Sequence, residues 1–383
     1  MKIAQIAPVI ESVPPKKYGG TERVISTLTE ELVKRGHEVT LFASGDSVTK
    51  AKLVSVCPQS LRAAKVPGIY GANNLSMLNI GLAYSMQNEF DIIHDHVNDM
   101  SVPTANLATT PVVMTLHGAL NENNAKLFKK MNNPNYVTIS KSQAVPEPGL
   151  NYIGNVYNGL DMNGYPFSDQ HGGYLLFVGR ISVEKGVHNA IEVAKRTKLP
   201  LIIAAKLETD YQPDVDYYKK YVEPELNDQI QWIGEVDEEE RNKLMSKALC
   251  FLHPLTWSEP FGLTLIESMA CGCPVLAFAM GSIPELIVDG KTGFIAKDID
   301  DMVDAVRRVK NLNRIDCRIH ALNKFSGEIM ADGYERIYKR LLIKGEMKMI
   351  SQPIYDTALF YQTSQLNNSH KIKSSIFKTM KLK

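Results

Sequence analysis

The sequence predicts an α/β protein built from two doubly wound, Rossmann-like parallel-sheet domains in tandem, facing each other across a cleft. Three observations carry this reading. Short apolar runs alternate with stretches of helical period, the pattern of strands covered on both faces by crossover helices. A Gly-, Pro- and Asp-rich stretch at 161–173 (D-M-N-G-Y-P-F-S-D-Q-H-G-G) interrupts the alternation like a linker, and a second alternating series starts directly after it. The 383 residues suffice for two domains of ordinary size.

The elements follow in order. Residues 2–7 read as a buried strand. Val24, Ile25, Leu28, Leu32 and Val33 mark a helix over 22–35, which Gly36 ends. The run E-V-T-L-F-A at 38–43 is the next strand. Further strands are expected at 52–56, 91–94, 112–116, 137–139 and 151–156, with helices at 74–87 and 125–131. The second series has strands at 174–178, 201–205, 230–233, 250–253 and 274–278. Its helices lie at 185–195, 238–247, 264–270 and 299–309. A helical period returns at 325–343 through Met330, Tyr334, Ile337, Tyr338, Leu341 and Leu342. These signals set a first domain at 1–165, a second at 166–324, and a tail at 346–383. Residues 351–383 carry five Lys and one Asp among Ser, Asn and Thr. They read as a weakly held tail, with contact to anionic lipid as the sharper alternative.

A net charge of +1 removes any global argument for a nucleic-acid or anionic-surface partner. Five scattered cysteines (57, 250, 271, 273, 317) suit a reducing compartment. Cys271-Gly-Cys273 is too tight for a zinc knuckle and reads as small buried residues. No signal peptide is visible, and no run reaches the roughly 18 apolar residues of a membrane span. A cytoplasmic protein is therefore expected.

The chemistry concentrates at strand ends, where ligands of doubly wound sheets bind. Segment 258–267 (S-E-P-F-G-L-T-L-I-E) places Glu259 before a helix start and Glu267 two turns along it. Phe261, Gly262 and Leu263 form the turn between them. A helix N-terminus offers free N–H groups and partial positive charge, so it holds phosphate well. Carboxylates on either side of such an anion site can grip hydroxyls at both ends of a nucleotide sugar. Arg180 and Lys185 share the loop V-G-R-I-S-V-E-K-G at 178–186, and two cations there can neutralise a diphosphate. Gly19-Gly20 opens the first helix, where glycines allow close backbone approach to phosphate; plain turn residues are the alternative. His117 ends the strand at 112–116 and can bond a sugar hydroxyl, or serve structure alone. His94-Asp95-His96 reads as polar cleft lining rather than a metal site, because alternation sends Asp95 away from the two histidines. G-S-I-P-E at 281–285 and D-G-K-T-G-F at 289–294 look like a helix start and a tight turn.

Together these blocks resemble the family-four retaining glycosyltransferases of the GT-B fold over about residues 1–343. The resemblance rests on Gly19-Gly20, on 178–186, on H-P-L-T-W-S-E-P-F-G-L-T-L-I-E-S-M-A-C-G-C-P-V at 253–275, and on G-S-I-P-E-L-I-V-D-G-K-T-G-F at 281–294. It is looser in the first domain, at 36–46, and the opening is similar to a bacterial subgroup that includes pterin glucosyltransferases. The resemblance implies that Glu259 holds donor-sugar hydroxyls and Glu267 the nucleotide ribose. Arg180 and Lys185 would hold the diphosphate, and His117 would stand by the reaction centre. Backbone groups of Phe261, Gly262 and Leu263, with Gly19 and Gly20, would line phosphate and sugar. The segment at 325–343 would cross back to the first domain. The family usually works without a divalent metal and retains anomeric configuration, the leaving phosphate oxygen acting as base. No cofactor, metal or nucleic-acid partner is expected. The donor would be a nucleotide-diphosphate hexose, UDP-glucose first, with the acceptor a small molecule, lipid or glycan. An epimerase or phosphorylase on the same architecture, and a non-catalytic nucleotide-sugar sensor, are the rival readings.

Overall fold

The computed structural model describes residues 1–346 except 18, 67 and 132, so the tail from residue 347 lies outside the described residues. Seven strands form the first sheet: β1 (Lys2–Ile6), β2 (Glu38–Phe42), β3 (Lys52–Val54), β4 (Ile92–Asp95), β5 (Val112–Leu116), β6 (Asn135–Thr138) and β7 (Tyr152–Asn155). Six form the second: β8 (Leu175–Arg180), β9 (Leu201–Lys206), β10 (Ile230–Gly234), β11 (Cys250–His253), β12 (Val275–Phe278) and β13 (Gly293–Ala296). All their pairings are parallel. The orders are β3-β2-β1-β4-β5-β6-β7 and β10-β9-β8-β11-β12-β13. Each sheet starts in its middle, winds outward one way, then returns to the other side. The reversal opens a crevice at the carboxyl ends of β1 and β4, and of β8 and β11.

Local chemistry explains the elements. The helix Gly20–Lys34 buries Val24, Ile25, Leu28 and Leu32, one stripe at helical spacing. Asp237, Asp298 and Asn313 each cap a helix with a side-chain oxygen. Two helices absent from the sequence reading, Gln212–Tyr221 and Arg314–Phe325, present mixed polar faces to the core; the first buries only Asp214 and Tyr217. Strand β13 was hidden inside what reads as a tight turn, because only Phe294 and Ile295 of it are large and apolar.

The 161–173 segment is no free linker. Tyr165 is buried, and Arg314 and Arg318 donate to the carbonyls of Ser168, Tyr165 and Met162. The segment therefore lies along the second lobe. The chain passes between lobes just before it and returns after Phe325, and these two passages touch. Leu160 N–H donates to Phe325 O and Gly327 N–H to Leu160 O, both at 2.9 Å. The helical period at 325–343 accordingly belongs to a helix that begins only after Ser326, Gly327–Glu346. It returns to the first lobe, where Met330, Ala331, Tyr334, Ile337, Tyr338 and Leu341 pack on Ile3, Val24, Leu28, Val113 and Val137.

Candidate active site

A cleft of about 590 Å³ runs between the lobes, and all ten residues singled out in the sequence line it. Gly19, Gly20 and His117 come from the first lobe; Arg180, Lys185, Glu259, Phe261, Gly262, Leu263 and Glu267 come from the second. The lobes meet closely. A Cβ added at Gly20 would lie 3.0 Å from the Leu263 side chain, so the glycine loop faces the start of the helix Leu263–Ala270. Gly262, at φ 94°, is the left-handed residue that lets the chain turn into this helix.

Lys185 Nζ donates to Glu259 Oε2 at 2.7 Å and stands 5.0 Å from the centre of the Trp257 ring. Gly186, left-handed at φ 73°, packs on Pro254 O, and Gly281, at φ 56°, packs on the Glu259 backbone. A side chain at either would collide, so both glycines hold the pair in place. Arg180 reaches Glu184 at 3.2 Å and Asp214 at 4.0 Å, and its side chain is about one-third exposed (32%). Behind Lys185, burial and then the lysine's charge push His253 down to about 3, keeping it neutral. Among the described residues its buried Nε2 has no hydrogen-bond partner.

Glu267 is almost fully buried and accepts from Arg241 Nη2 at 3.0 Å. Arg23 of the first lobe lies 4.0 Å away and ion-pairs with Glu238. Burial works against charge on Arg23, but Glu267 and Glu238 outweigh it and raise its pKa. Arg23 and Arg241 line the cleft, and sequence reading missed both. Arg23 lies one helical turn after Gly19, on the face that carries the glycine loop to the cleft, so spacing was the available signal. Glu22 also lines the cleft, and burial pushes its carboxyl up to about 7.

The His117 backbone N–H donates to Asn98 Oδ1 at 3.0 Å, and its ring Nε2 lies 2.9 Å from His96 Nδ1. Burial lowers it to about 4. His94 and His96 share one side of the sheet with ring centres 4.0 Å apart, while Asp95 turns to Tyr84 and Ser101, as alternation requires. Among the described residues no group of three or more His, Cys, Asp and Glu is placed to hold a metal ion. None of the described helices is long and apolar enough to cross a membrane.

Known proteins share this architecture. Residues 18–144 match Glycosyltransferase Family 4 and residues 167–321 match Glycosyl transferases group 1. Glycogen synthase of Mycobacterium tuberculosis (strain ATCC 25618 / H37Rv) is 25% identical over 350 residues, covering 77% of this chain and 83% of that protein. Phosphatidyl-myo-inositol mannosyltransferase of Propionibacterium freudenreichii is 24% identical over 319 residues, covering 76% and 80%. The crystal structure of Anabaena Alr3699/HepE in complex with UDP and glucose superposes with a TM-score of 0.67 at 18% identity, covering 89% of this chain and 100% of that one. The two matched families fall one on each lobe, on either side of a cleft at the strands' carboxyl ends. The chain belongs to the family-four-type glycosyltransferases of the GT-B fold.

Proposed function

We propose that this glycosyltransferase moves a hexose, with glucose the first assignment, from a nucleotide-diphosphate sugar to an acceptor hydroxyl with retention of configuration. One observation carries the reading. A lysine and a carboxylate meet at 2.7 Å beside a helix N-terminus, with a second cation in the same loop, inside an interlobe cleft. Unliganded, Lys185 and Glu259 satisfy each other. With donor bound, Lys185 turns to the diphosphate and Glu259 to the sugar hydroxyls. Arg180 joins the phosphate, and the N–H groups opening the helix Leu263–Ala270 complete the anion site. Phe261, Gly262 and Leu263 line the sugar and phosphates from one side, and Gly19 and Gly20 from the other. Glu267, steadied by Arg241, accepts from the ribose hydroxyls. His117 stands on the acceptor side.

As the sugar–phosphate bond breaks, negative charge collects on the leaving diphosphate. Arg180, Lys185 and the helix end are already aimed there, so little reorganisation is needed. The leaving phosphate oxygen takes the proton of the acceptor hydroxyl, which enters from the same face of the sugar. A cytoplasmic setting suits the five cysteines, all free thiols.

The test is a screen of nucleotide sugars with free nucleotide release as readout, backed by calorimetric binding. UDP-glucose turnover that survives EDTA is the expected result. If no nucleotide sugar binds or turns over, the reading is wrong. Turnover abolished by EDTA would move the phosphate-neutralising role from Arg180 and Lys185 to a metal.

A further inference from the structure

A buried hydrogen-bonded chain runs from the returning helix Gly327–Glu346 to the cleft. Thr115 Oγ1 lies 2.8 Å from the Tyr334 hydroxyl and 2.7 Å from His94 Nε2. His94 Nδ1 lies 2.6 Å from the Tyr338 hydroxyl, to which Gln5 Nε2 donates at 3.5 Å. Gln5 Oε1 lies 2.7 Å from His96 Nε2, and His96 Nδ1 lies 2.9 Å from His117 Nε2. Gln5, His94, His96 and Thr115 have no exposed surface (0%), so each bond must be made within the protein. Of the chain's members, His117 is the one that lines the cleft.

The donors can be assigned one by one. Burial holds His94 and His96 far below the usual imidazole range and His117 at about 4, so all three rings are neutral near pH 7. Each then has one N–H and one lone pair. A carbonyl oxygen only accepts, so His96 Nε2 donates to Gln5 Oε1. His96 Nδ1 must therefore accept, and the N–H it accepts is that of His117 Nε2. The amide of Gln5 is held in turn by its Nε2 group, which donates to the Tyr338 hydroxyl and lies 3.4 Å from His94 Nδ1; that nitrogen accepts, chiefly from the Tyr338 hydroxyl. His94 Nε2 then donates to Thr115. Turning the Gln5 amide over would reverse both neighbouring tautomers. One side chain thus selects between two proton arrangements.

We infer that Gln5, acting through His96, is a positioning residue that keeps His117 in the Nε2–H form, leaving its Nδ1 lone pair to accept a hydroxyl proton of the bound donor sugar. The last part rests on the proposed donor site; the tautomer assignment does not. The C-terminal helix, which packs on the first lobe, enters this chain at its far end. Its two tyrosine hydroxyls are the far anchors of the arrangement.

The experiment uses the full chain with ¹⁵N-labelled histidine rings. Two-bond ¹H–¹⁵N correlation spectra separate the Nδ1–H from the Nε2–H form, and the His117 signals are those lost in His117→Ala. The wild type should show His96 and His117 both as Nε2–H, and UDP-glucose, but not UDP, should shift the His117 Nδ1 signal. Gln5→Glu places a carboxylate against His96, which then takes a second proton and donates from Nδ1. His117 should switch to the Nδ1–H form, with kcat lowered about tenfold and UDP affinity unchanged. A wild-type His117 carrying its proton on Nδ1, or a Gln5→Glu spectrum with the His117 tautomer unaltered, overturns the inference. A Gln5→Glu chain that does not fold leaves the wild-type spectrum to decide. Absence of turnover with every nucleotide sugar would sink the proposed function, yet the tautomer spectrum would still be readable.

Discussion

At the scale of single residues, the Lys185–Glu259 pair is the sharpest element of the site. Each side chain is mostly buried, and each is the other's partner. Removing one leaves the other charged and uncompensated and, in the proposed reaction, removes a contact that strengthens as the phosphate departs. Lys185→Ala and Glu259→Ala should each lower kcat/KM for the donor on the order of 10²-fold or more in a nucleotide-release assay. Activity within a few-fold of wild type in either variant would exclude that residue from the reaction. Both residues were legible in the sequence because their surroundings are local, a strand end, a turn and a helix start within a few positions. For Arg23 only the spacing from Gly19 was legible; its pairing was not, because Glu238 and Glu267 lie more than two hundred positions away in the chain.

At the scale of elements, the two passages between lobes form one joint. Gly159 sits under it; a Cβ there would stand 2.5 Å from Ser326 O and 2.8 Å from Met330 Cβ. Gly159→Ala should cost about 2 kcal/mol through overpacking. Calorimetry should show a lower Tm, whereas Gly149→Ala, which meets nothing within 4 Å among the described residues, should leave it unchanged. Equal melting of the two variants would mean that the joint yields freely. The periodicity of the returning helix showed in its apolar stripe. Its break at Ser326 has a weak local signal, a serine whose hydroxyl accepts from the Ile329 N–H at the helix start, and the pairing with Leu160 that completes the break is long-range.

For the whole molecule, buried titratable groups set the response to pH. His94, His96, His117 and His253 are all kept neutral by burial, with His117 near 4 and His253 near 3. Unfolded, each binds a proton below about pH 6.5; folded, it does not until much lower. The unfolded state therefore takes up more protons as pH falls, and each imidazole costs about 2 kcal/mol of stability at pH 5. Glu22, raised to about 7, and Asp95, raised to about 6, act the other way. They hold protons in the folded state that the unfolded state has released, so between pH 7 and 5 Glu22 recovers about 2 kcal/mol and Asp95 about 1 kcal/mol. Four imidazoles outweigh two carboxylates. The Tm should fall on the order of 10 °C from pH 7.5 to pH 5. A Tm unchanged or higher at pH 5 would show that these rings are protonated in the native protein. The lobes are also tied directly: Glu285 accepts from the Lys141 and Ser142 N–H groups at 2.8 Å and from the Tyr157 hydroxyl, while Ser140 donates to Pro260 O.

By itself the sequence determined the class of fold and the tandem sheets, and it picked out ten residues that line the cleft. Strand periodicity, turn residues and helix starts are short-range properties, written in neighbouring positions. Only the tertiary structure decided what lies across the cleft: Arg23 beside Glu267, Glu285 bridging the lobes, the joint at Leu160 and Ser326, and the chain from Tyr338 through Gln5 to His117. Those contacts join residues far apart in sequence, and their energy depends on burial, which exists only once both sheets have closed on their cores.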